Sequence, residues 1–291
     1  MKTGPVPGAV HRNINIHNLM TTAILKTLLT GFILFSGLSL NLPGINQIST
    51  EKSENKVLMA IFAHPDDETL VSPILYQYAN AGVEVILVIA TDGRLGFTDF
   101  TDYEDEDELA SVRRNELRCA ADILGIEMIH LDYEDQFGIS KGHNEWISQT
   151  RGFMLDLHNI IEEKNPDAII TFGPDGFSNH MDHRLTGLTV TQVVLSREWE
   201  KTPELYYFGV PSSLLDDQGQ MFMGVDDSHL TLQIQFSNDE AAVAKQAALC
   251  HISQFTPEFV EEWINTMNEW GNKIHFRPFK ADGEKRNSLF N

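Results

Sequence analysis

Two short stretches hold the residues best suited to chemistry. The first, His64-Pro65-Asp66-Asp67-Glu68, closes the apolar run "VLMAIFAHPDDE"; the second, "SNHMDHR", carries His180, Asp182 and His183. Three consecutive acids after a buried segment repel one another, and a divalent cation among them would offset that repulsion. His64 and Asp67 are three positions apart, as are His180 and His183, and either spacing can put two ligands on one side of a tight turn or helix start. Neutral imidazole and carboxylate are ordinary zinc ligands, and a catalytic zinc takes three protein ligands and leaves a position for water. His64, Asp67 and His183 make such a set. Asp66 is then left beside the metal, where a carboxylate can act as general base, and His180 becomes a supporting or catalytic imidazole. The competing interpretation of "HPDDE" is a plain helix N-terminus, where Pro and acids are favoured. A second cluster of the same kind at another strand end favours the metal.

These clusters must be brought together by the elements that carry them. "VLMAIF" reads as a strand buried on both faces, and "VEVILVIA", "EMIHL" and "AIITF" as three more. Helical patterns fall between them: Thr69 to Ala81, Asp105 to Leu124 with Gly125 as C-cap, Trp146 to Lys164, and His183 to Trp199. Strict alternation of strand and helix predicts an α/β, Rossmann-like, doubly wound and mostly parallel sheet with helices on both faces. In such sheets the strand order commonly reverses beside strand one. Strands one and four then become neighbours, and their C-terminal ends flank the crevice where ligands bind. Both clusters would meet there. After Pro203, "ELYYFGV" and "LTLQIQF" read as strands, and "DEAAVAKQAALCH" and "PEFVEEWINTMNEWG" as helices, a C-terminal α/β extension of the same domain. No Gly-x-Gly-x-x-Gly follows the first strand, which argues against a dinucleotide site.

Composition narrows the partners. The chain has 291 residues and a formal net charge of -21, which argues against nucleic acid and against adhesion to anionic lipid. Cys119 and Cys250 are the two cysteines; packed free thiols are the expected state, with a disulfide between them as the alternative. Lys26 precedes the apolar run Thr27 to Leu42. At ~1.5 Å per residue that run reaches about 24 Å, short of a ~30 Å bilayer core, and it fits the core of a secretory signal, with Met20 as an alternative start. Residues 1–50 are therefore read as a signal-like segment and linker, and 51–291 as the catalytic domain. The expected location is exported if that segment is a signal, otherwise membrane-anchored or cytoplasmic; membrane contact is expected only through an uncleaved segment. "TDFTDYEDEDELA" lacks calcium-loop spacing and reads as a solvated loop and acidic helix start. Arg94, Arg113 and Arg184 could contact substrate or pair with these acids, and Arg94 and Arg113 are taken as the substrate-binding candidates. His251 is as readily a packed histidine as a site residue.

At these motifs the sequence resembles the LmbE-like/PIG-L family of zinc-dependent deacetylases, which remove acetyl or other acyl groups from N-acylglucosamine-type substrates. "AHPDDE" (Ala63 to Glu68) stands complete, and the family's second motif stands as "HMDH" (His180 to His183). "TDGRLG", "VRRNELRCAADILGI", "NPDAIITFGPDG" and "KQAALCHISQ" match in order, so the resemblance spans roughly residues 56 to 255. It implies one Zn2+ per chain on His64, Asp67 and His183. It also implies Asp66 as general base, His180 as oxyanion stabiliser or proton donor, and Asp182 orienting His180. The implied substrate is a small molecule or glycan with an N-acyl group. Met181 replaces the usual proline, and Ser178 stands where some members carry a tyrosine, which leaves any tyrosine-assisted step to Tyr133 or another residue. Two rival classes are a non-catalytic metal- or sugar-binding module and a phosphoesterase, which often uses two metals.

Overall fold

The computed structural model describes residues 55–215, 224–280 and 283–290. The signal-like segment 1–50 lies outside the described residues. Among the described residues no helix is long and apolar enough to cross a membrane.

Seven strands form one sheet: β1 (Val57–Phe62), β2 (Glu84–Thr91), β3 (Glu127–Tyr133), β4 (Ala168–Phe172), β5 (Glu204–Gly209), β6 (Leu232–Gln235) and β7 (Lys273–Pro278). Their order is β3-β2-β1-β4-β5-β7-β6. The first five run parallel, while β7 is antiparallel to both β5 and β6. β1 pairs with β2 on one side and with β4 on the other, Ala60 facing Ile170. The expected reversal beside strand one is therefore present, at the C-terminal ends of β1 and β4, the place where ligands bind in sheets of this kind.

The alternation of side chains along the strands builds two cores. Leu58, Ala60 and Phe62 face one layer, where they meet Ile74, Leu75 and Tyr78 of α1 (Ser72–Asn80), Leu117 of α2 (Glu106–Leu124), Ala241 of α6 (Asn238–Ala248), and Ile264 and Met267 of α7 (Pro257–Glu269). Met59 and Ile61 face the other, against Phe153, Leu157 and Ile161 of α3 (His143–Lys164) and Val190, Val193 and Val194 of α5 (Met181–Leu195). β1 is buried along nearly its whole length, as a continuous apolar run requires. Asp105 caps α2 by accepting from the Glu108 amide, and Gly125 closes it in the left-handed region at φ 67°. The first helix begins later than expected: residues 67–70 form a separate 3-10 turn, so Thr69 and Leu70 stand in a turn rather than in α1.

Two features of the C-terminal part differ from expectation. "KIHFRP" forms β7, a strand not among those expected although Ile274 and Phe276 alternate with Lys273, His275 and Arg277 in strand period. The cysteines are not free thiols: Cys119 of α2 and Cys250, just past α6, form a disulfide with Cα atoms 5.9 Å apart. Small residues make this possible. Ala120 and Ala247 share a buried cluster between the two helices, and short side chains let the backbones approach. The bridge closes a span of 131 residues, which in the chain-entropy picture stabilises by about 4–5 kcal/mol.

α5 reaches the site because it lies against β4 at a glycine. A methyl group added at Gly187 would stand 2.3 Å from the carbonyl oxygen of Phe172. Gly187→Ala should therefore destabilise by about 1–3 kcal/mol, read as a lower urea midpoint with an unchanged slope. Thiol titration in denaturant should count no free thiols before reduction and two after; two thiols without reductant would refute the bridge.

Candidate active site

The turn after β1 is shaped by its own side chains. Asp67 folds back so that its Oδ2 accepts from the amides of Ala63 and His64, at 3.0 and 2.8 Å. This fixes the direction in which its other oxygen, Oδ1, points. Asp66 adopts φ 126°, ψ -21°, a conformation that costs a non-glycine residue about 1–3 kcal/mol and concentrates at functional sites. Arg113 of α2 counters that cost. Its guanidinium donates to Asp66 Oδ2 at 2.8 Å, to the Pro65 carbonyl, and to Gly93 O at 2.8 Å. A side chain at Gly93 or Gly96 would run into this guanidinium, 2.4 Å away. Arg113 is almost fully buried. Of the two expectations from sequence, contact with substrate or pairing with an acid, the structure shows the pairing, with Asp66.

The second cluster opens α5, preceded by the single turn α4 (Gly176–Asn179). His183 lies flat on Phe172, ring centroids 4.2 Å apart and planes within 7°. Its Nδ1 stands 3.0 Å from the carbonyl oxygen of Gly176 and 3.0 Å from Ser178 Oγ. Donation to that carbonyl puts the proton on Nδ1 and leaves a lone pair on Nε2. Nε2 lies 3.2 Å from Asp67 Oδ1 and 3.2 Å from His64 Nδ1, while His64 Nδ1 is 3.6 Å from Asp67 Oδ2. His64 Nδ1 and His183 Nε2, 3.2 Å apart, thus meet the two oxygens of Asp67, Oδ1 beside His183 and Oδ2 beside His64, at 3.2 and 3.6 Å. Zinc–ligand bonds of about 2.0–2.1 Å in a tetrahedron put ligand atoms about 3.3 Å apart, so the residues present fit such an ion.

A further shell holds His64. Its Nε2 lies 3.2 Å from Asp182 Oδ2 and 3.1 Å from Asp135 Oδ1. Asp182 is fully buried, and its Oδ2 also accepts from the amide of Gln136 at 2.8 Å. The expectation that Asp182 orients His180 is corrected here: its carboxylate serves His64, and it meets His180 only through its backbone amide, which donates to His180 Nδ1 at 3.3 Å. That bond places the proton of neutral His180 on Nε2. His180 stands exposed at the rim, its ring edge-on to His64 with centroids 4.8 Å apart.

The electrostatics follow this geometry. Burial alone would lower the pKa of His64, but Asp135, Asp182 and Asp67 outweigh it and hold it well above the ordinary value. Burial would raise Asp67, yet His183 and His64 keep it well below the carboxylate range. Asp66 goes the other way: burial pushes it up to about 6, against the pull of Arg113 and with a push from Asp67. Partial desolvation, then the charges of His64 and His183, lower His180. Neighbouring acids in one motif thus differ in character because their partners differ.

The structure sorts the remaining candidates. Arg94 donates to Asp92 and Asp107, at 2.8 and 3.0 Å, so its guanidinium is already engaged by acids. Tyr133 does not substitute at Ser178's position; its hydroxyl donates to Asp156 at 2.6 Å and its ring packs on Phe137 and Phe153. Asp135 escaped the sequence analysis. The available signal was its place just past β3, a third strand end on the same sheet edge. Residues 136–138 after it all have positive φ, between 50° and 68°, and this left-handed turn aims the Gln136 amide at Asp182.

Fold and site together define an α/β protein with a cluster of His and Asp side chains, able to hold a metal ion, at the switch point of its sheet. Residues 59–194 match the profile of the PIG-L family, GlcNAc-PI de-N-acetylase. It is 32% identical over 147 residues to 1D-myo-inositol 2-acetamido-2-deoxy-alpha-D-glucopyranoside deacetylase 2 of Catenulispora acidiphila, covering 45% of this chain and 48% of that relative. The chain thus spans about half the length of the curated relatives it matches. Among solved structures, N,N'-diacetylchitobiose deacetylase from Pyrococcus horikoshii is similar with TM-score 0.59 and 23% identity, over 78% of this chain and 84% of that one. 4-Carboxy-2-hydroxymuconate hydratase from Pseudomonas putida is similar with TM-score 0.58 and 14% identity, over 80% and 100%.

Removing the carboxylate behind His64 tests the site. Asp182→Asn should weaken zinc binding about 10–100-fold, measured by competition with a chromophoric chelator. Unchanged affinity would show that Asp182 does not support the ligand set.

Proposed function

We propose that this protein is a zinc-dependent hydrolase that removes an acetyl group from an N-acetylated amino sugar. The observation that carries this reading is the convergence of His64 Nδ1, Asp67 and His183 Nε2 beside Asp66, a buried carboxylate held by Arg113. Two imidazoles and one carboxylate suit zinc better than the all-oxygen sets of magnesium or calcium. When bound, zinc would polarise the amide carbonyl and lower the pKa of a water.

The chain's own groups supply the rest. Asp66 accepts the proton of the attacking water, and its raised affinity for protons suits that work near neutral pH. Arg113 keeps its Oδ2 at a fixed position, so the base is oriented before substrate arrives. His180 presents Nε2–H at the rim, where it can donate to the carbonyl oxygen as negative charge builds there; one well-placed donor of this kind contributes about 3 kcal/mol. The proton held by Asp66 then passes to the departing amine. The deacetylases among the relatives support the amide bond and the N-acetylglucosamine class. The fold alone does not, because a hydratase shares it.

We place the protein outside the cytoplasm. The reading is supported by the disulfide, which persists in oxidising compartments, and by the apolar run Thr27–Leu42. A net charge of -21 fits a neutral glycan better than an anionic one.

Release of free amine from a panel of N-acetylated amino sugars tests the activity. Asp66→Asn should keep one zinc per chain and lose about 10²–10⁴-fold in kcat, and a chelator should abolish wild-type turnover. Wild-type turnover by Asp66→Asn, or turnover indifferent to the chelator, would refute the mechanism.

A further inference from the structure

α2 carries Arg113, Glu116 and Cys119 at three-residue spacing. All three reach toward one turn or one C-terminal segment. Arg113 holds Asp66 and the Pro65 carbonyl. Glu116 accepts from the amide and the hydroxyl of Ser253, at 2.8 and 2.7 Å. Cys119 is bonded to Cys250. Residues 250–254 are thereby strapped along α2, and Gln254 fastens their far end by donating to Gly96 O at 2.9 Å.

Inside that strap stands His251. It is fully buried, as is Glu68, and its Nε2 lies 2.5 Å from Glu68 Oε1. The two residues are 183 positions apart. The other oxygen of Glu68 accepts from the amide of Asp66 at 3.1 Å. A buried carboxylate and imidazole are costly to desolvate, and an apolar pair of the same volume would often serve stability as well. What an apolar pair could not do is grip the amide of Asp66, the residue held at φ 126°. Arg113 holds the carboxylate of that residue from one side; Glu68 holds its backbone from the other.

We propose that Glu68 and His251 are positioning residues for Asp66, with His251 fixed by the strap that Cys119–Cys250 and Glu116–Ser253 tie to α2. This rests on Asp66 being the proton acceptor. His251 donates to Glu68, Glu68 accepts from the Asp66 amide, and the strained turn keeps the carboxylate aimed. Neither residue touches the three metal-donor atoms, so their loss should separate turnover from zinc binding.

The test uses the full chain with two independent readouts. In metal-free protein, hydrogen–deuterium exchange of a peptide spanning Ala63–Leu70 should quicken at least tenfold in His251→Leu. His251→Gln, whose amide nitrogen can stand where Nε2 stood, should restore most of the protection. In zinc-loaded protein with diacetylchitobiose as substrate, His251→Leu should lower kcat about 10–100-fold while KM stays within about twofold and zinc remains at one per chain. If His251→Leu does not fold, the double variant Cys119→Ala/Cys250→Ala carries the same test, with faster exchange in the Ala63–Leu70 peptide as the expected result. Exchange at the wild-type rate in a folded variant would overturn the proposal, as would a fall in kcat that merely tracks lost zinc. Full activity of Asp66→Asn would instead refute the base assignment, and the exchange result would still report whether the strap holds the turn.

Discussion

Four buried or half-buried carboxylates, Asp66, Asp67, Asp135 and Asp182, crowd the end of β1 around a single imidazole. That crowding is the constraint from which the rest of the site follows. Like charges this close cannot all stay ionised unless positive groups stand among them. His64 is the centre of the solution, with Asp135 and Asp182 on its Nε2 and Asp67 beside its Nδ1. His183 takes the other oxygen of Asp67. Arg113 takes Asp66. A cation held by His64, Asp67 and His183 would add positive charge at the point where this arrangement is most acidic. The acids are therefore best understood as one set, in which the imidazoles favour the charged forms of Asp67 and Asp135 while burial leaves Asp66 poised to bind a proton.

Such a partition needs side chains held to within fractions of an ångström, and the backbone near the site shows how this is achieved. Asp66, Gln136, Phe137 and Phe177 all have positive φ, and all stand in the irregular segments that follow β1, β3 and β4. Each such residue costs free energy that the surrounding packing must supply. Phe137 shows the exchange directly: its backbone is left-handed, yet its side chain is fully buried against Phe153 in the α3 and α5 layer. The layers below the edge are regular and apolar, and the loops above it are irregular. The regular part anchors the irregular part.

This division also explains what the sequence disclosed. The strands and helices from Val57 to Leu195 were readable because their patterns are local, and the meeting of His64 with His183 was readable because parallel-sheet topology constrains which strand ends are neighbours. The partners of individual side chains were not. Asp182 sits one residue before His183 and two after His180, so neither spacing nor residue type says that its carboxylate reaches back to His64. Arg113 carries the same charge whether it binds a substrate or holds a base; only its burial against Pro65 and Gly93 decides. The cysteines each sit in helical, alanine-rich stretches, and whether those stretches face one another depends on how α2 and α6 pack. Strand β7 had the right alternation but followed a helix in a region where the strand–helix rhythm had already broken.

The boundary of the recognisable family region is not the boundary of the site. The match to the PIG-L profile ends at residue 194, and every proposed metal donor and Asp66 lie before that point. Yet His251 and Ser253 bond to Glu68 and Glu116, so part of the support for the turn comes from chain beyond the match. The order of the sheet makes this possible. β5, β7 and β6 extend it past β4, while α6 returns across the opposite layer to lie against α1 and α2. A domain cut after α5 would keep every residue that points to chemistry. It would lose the groups that hold the acidic turn from behind.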